Sequence, residues 1–90
     1  MTVLITVDVH GQTAEGYDGM IAVLEPLIKQ APGFMMHGAY ATEEGQWRVF
    51  EVWATKEDSD RFFAQHIAPI LPPGVRPKRS VHVLHGCVPA

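Results

Sequence analysis

Cysteine is nearly absent. Of the 90 residues only Cys87 is a thiol, so no internal disulfide holds this chain. Its position near the end of the sequence reads as a minor packing or tail residue rather than a nucleophile. Charge of one sign is also scarce. The formal net charge is -3, which gives no electrostatic footprint for nucleic acid or an anionic membrane. No apolar run is long enough to span a bilayer, and no basic stretch followed by an apolar core and a small-residue cleavage site opens the chain. The expectation is a cytoplasmic protein. What the sequence does have is apolar content: 47% of its residues are hydrophobic. Ninety residues allow one domain, 1–90, with one small core, and a small domain with much apolar surface often completes that core by association.

The most structured stretch is a hairpin. Gly33 to Thr42 and Gln46 to Thr55 are rich in aromatic, Val and Met residues, and Glu43-Glu44-Gly45 separates them. A three-residue loop with Gly third is a type I turn closed by Gly in the left-handed region. That loop pairs Thr42 with Gln46, Tyr40 with Arg48, His37 with Glu51 and Met35 with Trp53. A two-residue Glu44-Gly45 turn would instead set His37 across from Val52. The first register gathers His37, Glu51 and Trp53 on one face. The other face carries Phe34, Met36, Gly38, Phe50, Val52 and Ala54, and reads as core.

Thr2 to Val9 alternates as a strand, with Val3, Ile5, Val7 and Val9 on one face, expected to meet helices. Asp8, on the alternate face, is expected beside His37 and Glu51, or else wetted at a strand end. Thr13 is a plausible N-cap for a helix over about 14–30, with Glu15 favourable to its dipole. Tyr17, Met20, Ile21, Leu24, Leu27 and Ile28 form its apolar stripe. Pro26 predicts a bend. Thr55-Lys56-Glu57-Asp58 resembles a capping box for a second helix, with Phe62, Phe63, His66, Ile67 and Ile70 inward. The Pro-rich stretch 71–79 reads as a loop, and its Arg76, Lys78 and Arg79 as a solvated run rather than an anion clamp. The final strand is expected over 80–86.

The order strand, helix, strand, strand, helix, strand predicts an α+β, ferredoxin-like βαββαβ domain with an antiparallel sheet. One side of that sheet is left bare, and Leu4, Met35, Val49, Trp53 and Leu84 would make it apolar. The expectation is a homodimer, two sheets face to face around a small cavity.

On Pro32-Gly33-Phe34, Thr42 to Trp47 with its Glu-Gly turn, Glu51-Val52-Trp53, the acidic start of the second helix, and His66 to Leu71, the chain resembles the antibiotic-biosynthesis-monooxygenase-like family of the dimeric α/β-barrel superfamily. The resemblance spans most of the chain. It implies small-molecule chemistry: cofactor-free oxygenation of polyphenols and quinols, or haem degradation. The family's oxygenase sites use Asn, Trp and Arg, and its haem degraders Asn, Trp and His. Trp53 would supply the aromatic wall, but the sequence contains no Asn.

Five His residues invite a metal reading, but no compact ligand spacing is present, and none is expected. The alternative is acid–base chemistry. His37 paired to Glu51 would take a proton from a phenol or an enolisable carbonyl, with His66 as a further catalytic candidate. Asp8, Met35, Trp53, Phe62 and His82 would line the substrate slot. A buried hydrogen-bonded pair with no catalytic role is the competing reading of His37 and Glu51. The leading function is a monooxygenase without cofactor, acting on aromatic, polyketide-like or quinol substrates. A cyclase or isomerase, and a non-catalytic binder of hydrophobic metabolites, are the alternatives.

Overall fold

The computed structural model describes residues 1–89. Four strands and two helical segments follow the βαββαβ order: β1 Val3–His10, α1 Ala14–Ile28, β2 Phe34–Ala41, β3 Trp47–Trp53, α2 Lys56–Phe62 and β4 Arg76–Val83. A π-helical turn, Phe63–Ile67, and a 3-10 turn, Ala68–Ile70, extend α2. The sheet order is β2-β3-β1-β4, antiparallel throughout. Each βαβ crossover therefore skips one strand, which is the split arrangement of a ferredoxin-like fold.

Both helices start where their caps require. The Thr13 hydroxyl accepts from the Gly16 N–H at 3.0 Å, and the Thr55 hydroxyl from the Asp58 N–H at 3.1 Å. Pro26 sits within the last turn of α1, which ends at Ile28. Leu24 and Ile28 are the buried positions of that helix, with Met20 packed beside them. Leu27 and Ile70, expected inside, are exposed.

The aliphatic face of β1 meets the helices as expected: Val3 and Ile5 are buried against Leu24, Ile28, Trp53 and Phe62. The register then decides the rest of the sheet. Val3 lies opposite Trp53, Ile5 opposite Glu51 and Val7 opposite Val49. Residues opposite one another share a face. The face of β3 and β2 that carries Trp53, Glu51 and His37 is therefore the helix-covered one, and not the bare one. The bare side carries Leu4, Thr6, Met36, Gly38, Tyr40, Phe50 and Val52.

The hairpin has the three-residue loop. Gly45 has φ 82°, its N–H donates to the Thr42 carbonyl at 2.9 Å, and Thr42 N–H donates to the Gln46 carbonyl at 2.7 Å. His37 lies opposite Glu51. A Cβ on Gly45 would meet nothing within 4 Å, so a substitution there strains only the backbone. Gly45→Val is expected to lower stability by about 1 kcal/mol or more, read as a lower urea midpoint with an unchanged slope. An unchanged midpoint would mean the loop tolerates a β-branched residue at positive φ.

Two local departures from the sequence expectation have physical causes. Phe34, not Met35, lies opposite Trp53, because the register shifts between Phe34 and Met36. The irregularity lets Phe34 set its ring edge-on to Trp53, centroids 5.4 Å apart. The last strand begins at Arg76, inside the Pro-rich stretch. β4 is an edge strand, so the missing N–H of Pro77 need not leave a ladder bond unmade.

Candidate functional site

Between the sheet and the helices lies a cavity with about 80 Å³ of space for water-sized molecules, several times what one water needs. The sheet supplies its floor: Val7 and Val9 from β1, His37 from β2, Trp47, Val49 and Glu51 from β3, Pro77 and Arg79 from β4. Tyr17, Met20, Ile21 and Leu24 of α1 cover one side, and Phe62, Phe63, Ile67 and Leu71 the other. The π-helical turn begins at Phe63. Such turns occur mostly as single insertions in α-helices, frequently at functional sites. Here both Phe62 and its neighbour Phe63 reach the cavity wall.

One chain of hydrogen bonds runs through this apolar setting. Trp53 Nε1–H donates to Glu51 Oε1 at 2.9 Å. Glu51 Oε2 lies 2.7 Å from His37 Nδ1, and His37 Nε2 lies 2.6 Å from the Tyr17 hydroxyl. Trp53 is fully buried and Glu51 is 7% exposed. A carboxylate can only accept, which places a proton on His37 Nδ1. With the ring carrying that one proton, Nε2 is the acceptor for the Tyr17 O–H. The rings of Tyr17 and His37 are also nearly parallel, 5.9 Å apart.

Tyr17 holds its proton more firmly than a free phenol. Burial is the larger cause, followed by the negative charges of Glu51, Asp18 and Glu25. The group is therefore a neutral hydrogen-bond donor across the physiological range. The sign for stability follows. The folded state keeps a proton that the unfolded chain releases near pH 10, so Tyr17's contribution is present below that pH and is lost as pH rises through the raised value.

Arg79 is fixed at the opposite wall. Its Nη2 donates to Ser59 Oγ at 2.8 Å and lies 2.9 Å from Asp60 Oδ1, and its guanidinium sits over the Phe63 ring at 5.1 Å. Asp60 is held below the usual carboxylate range, first by its hydrogen bond from Lys56 and, against some burial, by Arg79. The basic run is thus not uniformly solvated: Arg79 belongs to a wall of the cavity.

Of the residues singled out from sequence, His37, Glu51 and Phe62 line this cavity, and Trp53 lies outside the lining, bonded to Glu51 and packed on Phe62. Four others lie elsewhere. Asp8 lies on the bare side of the sheet, where it accepts from Arg48 Nε at 2.6 Å, because alternation along β1 turns it away from Val7 and Val9. His82 is exposed and lies opposite Leu4, on that same bare side. Met35 shares a hollow with Met36, Val52 and the tail residues Cys87, Val88 and Pro89. His66 packs on the far edge of Phe62, ring centroids 4.9 Å apart, in a separate hollow with Leu27, Gln30 and Arg61. No cluster of three or more His, Cys, Asp or Glu side chains spaced to hold a metal ion exists among the described residues.

Tyr17 and Trp47, both cavity residues, were not singled out as site residues in the sequence. Tyr17 reads there as one apolar position of a helical stripe. The usable signal is that a buried Tyr seeks a partner for its hydroxyl, and the facing strand pair offers His37. Trp47 reads as an ordinary strand aromatic. Its side chain rests against Tyr17, ring centroids 5.4 Å apart.

The sequence matches no family model and no curated protein. Solved structures with the same fold are nevertheless clear. A variant of SnoaB from Streptomyces nogalater, a cofactor-independent oxygenase, superposes with a TM-score of 0.69 at 14% identity, over 99% of this chain and 97% of SnoaB. MhuD from Mycobacterium tuberculosis, a haem degrader with two haems in its active site, gives a TM-score of 0.67 at 14% identity, over 96% and 98% of the two chains. Rv0793 from the same organism gives 0.65 at 12% identity, over 98% and 99%. At these identities the likeness establishes a shared fold over essentially the whole length of each chain.

Proposed function

We propose that this protein is a small-molecule enzyme of the antibiotic-biosynthesis-monooxygenase-like family, and that it oxygenates an electron-rich phenol or quinol without a cofactor. The observation that carries the reading is the Tyr17–His37–Glu51 chain opening on an apolar cavity. The chain accepts a proton in one direction only. A substrate hydroxyl or enolisable C–H gives its proton to the Tyr17 oxygen while Tyr17 passes its own to His37 Nε2. No free phenolate of Tyr17 forms. The imidazolium that results faces the Glu51 carboxylate, which Trp53 holds in place.

The substrate anion left in the cavity is the reductant. It transfers one electron to dioxygen, and the radical pair combines as a carbon-bound peroxide. At a ring carbon para to the phenol oxygen, loss of the C–H proton and of the distal oxygen as water leaves a quinone carbonyl. In sum, a phenol and a dioxygen molecule become a quinone and a water molecule, and His37 returns its proton to the departing oxygen. The shared fold with SnoaB supports this class of chemistry. The residues do not fit a haem: His37 is the one histidine lining the cavity among the described residues, and both its ring nitrogens are already bonded.

The test is oxygen uptake together with product mass over a panel of hydroquinones, anthrones and small phenols. Oxygen consumption with one oxygen atom gained by the product is expected. A product of unchanged mass would make the same proton chain that of an isomerase or cyclase. Tight binding without turnover would make the cavity a binding site.

The protein is further proposed to act as a homodimer through the bare side of its sheet. Met36 and Tyr40 are 44% and 45% exposed there, beside Phe50 and Leu4, and a patch of this kind is usually covered. Trp53 and Val49, which face the helices, are no part of it. Light scattering is expected to find a dimer at micromolar concentration and a monomer for Met36→Asp. A monomeric wild type would contradict the proposal.

A further inference from the structure

Trp47 carries the one buried side-chain polar atom left without a hydrogen-bond partner among the described residues: its indole Nε1. Buried donors are almost always paired, and an unpaired one costs free energy unless something completes it. Trp47 is also a wall residue of the cavity. Its neighbours leave it no internal acceptor. Tyr17 presses on its ring, but the indole N–H makes no hydrogen bond to the Tyr17 hydroxyl. Gln12, also a lining residue, turns its side-chain oxygen to the Thr13 N–H and makes no bond to the indole. The two opposing strand residues, Val9 and Ala41, have no polar side-chain atom.

We infer that Trp47 Nε1–H is the recognition donor for a carbonyl or quinone-type oxygen of the ligand. The ligand class follows from the two ends of the site: a flat, largely apolar ring system whose oxygen accepts from Trp47 while its acidic proton lies against Tyr17. A hydrocarbon of the same shape would leave the indole N–H unmet. A site that uses a hydrogen bond in this way discriminates strongly against the analogue lacking the acceptor. The inference rests on the cavity being a ligand site, and not on turnover.

A matched pair of inert probes separates the two. 1-Indanone offers a carbonyl acceptor and no donor; indane has the same skeleton without oxygen. With dioxygen excluded from the titration neither can be oxidised, so binding is read independently of activity. In wild type, 1-indanone is expected to bind about 10-fold more tightly than indane, after correction for their different hydrophobicity. Its carbonyl infrared band should shift to lower frequency on binding, and the Trp47 indole N–H proton resonance should move downfield with 1-indanone only. Trp47→Phe should erase the preference and the infrared shift while leaving indane affinity within about 3-fold. Tyr17→Phe should keep both. Failure of 1-indanone to bind wild type at millimolar concentration, a preference retained in Trp47→Phe, or an indole resonance that does not move would each overturn the inference. Failure of the oxygen-uptake assay would leave it standing.

Discussion

His37→Ala is expected to lower turnover on a competent phenol or quinol by roughly 10²-fold or more, the scale of a general base. The substitution removes the atom that receives the Tyr17 proton in the proposed chemistry and leaves the Glu51 carboxylate with one partner, the Trp53 indole. Rate, rather than KM, should carry the loss, since His37 contributes little area to a cavity walled mainly by aliphatic and aromatic groups. Glu51→Gln should also reduce the rate, because a neutral amide orients the ring without compensating the imidazolium charge. Tyr17→Phe should reduce it less. Without the hydroxyl, Nε2 is open to the substrate itself. This ordering distinguishes a proton chain from a structural pair, for which all three substitutions would alter stability and leave the rate of the folded protein alone. Circular dichroism and the unfolding midpoint of each variant provide that control.

Trp53→Ala should produce the largest loss of stability from a single truncation, about 3–5 kcal/mol. The side chain is fully buried, in contact with Phe34 and Phe62, and donates to Glu51. On a domain this size such a change lowers the thermal midpoint by more than about 10 °C at fixed protein concentration. Trp53→Phe isolates the polar part. It keeps most of the volume but removes the N–H, leaving a buried carboxylate oxygen unpaired at a cost of about 1–3 kcal/mol. Because Glu51 then loses one of its two anchors, Trp53→Phe should also slow turnover. A Trp53→Phe protein as stable and as active as wild type would show that the indole N–H plays no part in holding Glu51.

The fold was legible because its signals are local and redundant. Alternation in 3–9, two Thr caps and the Glu-Glu-Gly loop each specify one element, and together they leave one topology. The His37–Glu51 pairing was legible for the same reason: the position of Gly45 sets the register of the whole hairpin. The side of the sheet on which that pair lies was not. Both faces of the hairpin are apolar, and its second arm alone carries Phe50 and Val52 on one side and Val49 and Trp53 on the other. Only the pairing of β3 with β1, Ile5 opposite Glu51, decides between them, and that long-range register has no signature within either strand. Sequence reasoning therefore put a polar pair on the open face, where charge is cheap. The molecule instead buries it, because Tyr17, His37, Glu51 and Trp53 satisfy one another. Asp8 and His82 were grouped with the pair by the same error of side. Met35 was displaced by a backbone irregularity that no residue type announces.

Under the proposed chemistry the cavity binds a phenol, and Tyr17 and His37 take its proton. 4-Nitrophenol reports this directly, since its anion is yellow and its neutral form is not. At a pH where the free compound is mostly neutral, binding to wild type should develop the anion band. His37→Ala, although it still binds the probe, should leave it neutral. A wild-type complex that holds the probe as the neutral phenol, or a His37→Ala complex with the same anion fraction as wild type, would rule out proton transfer to His37.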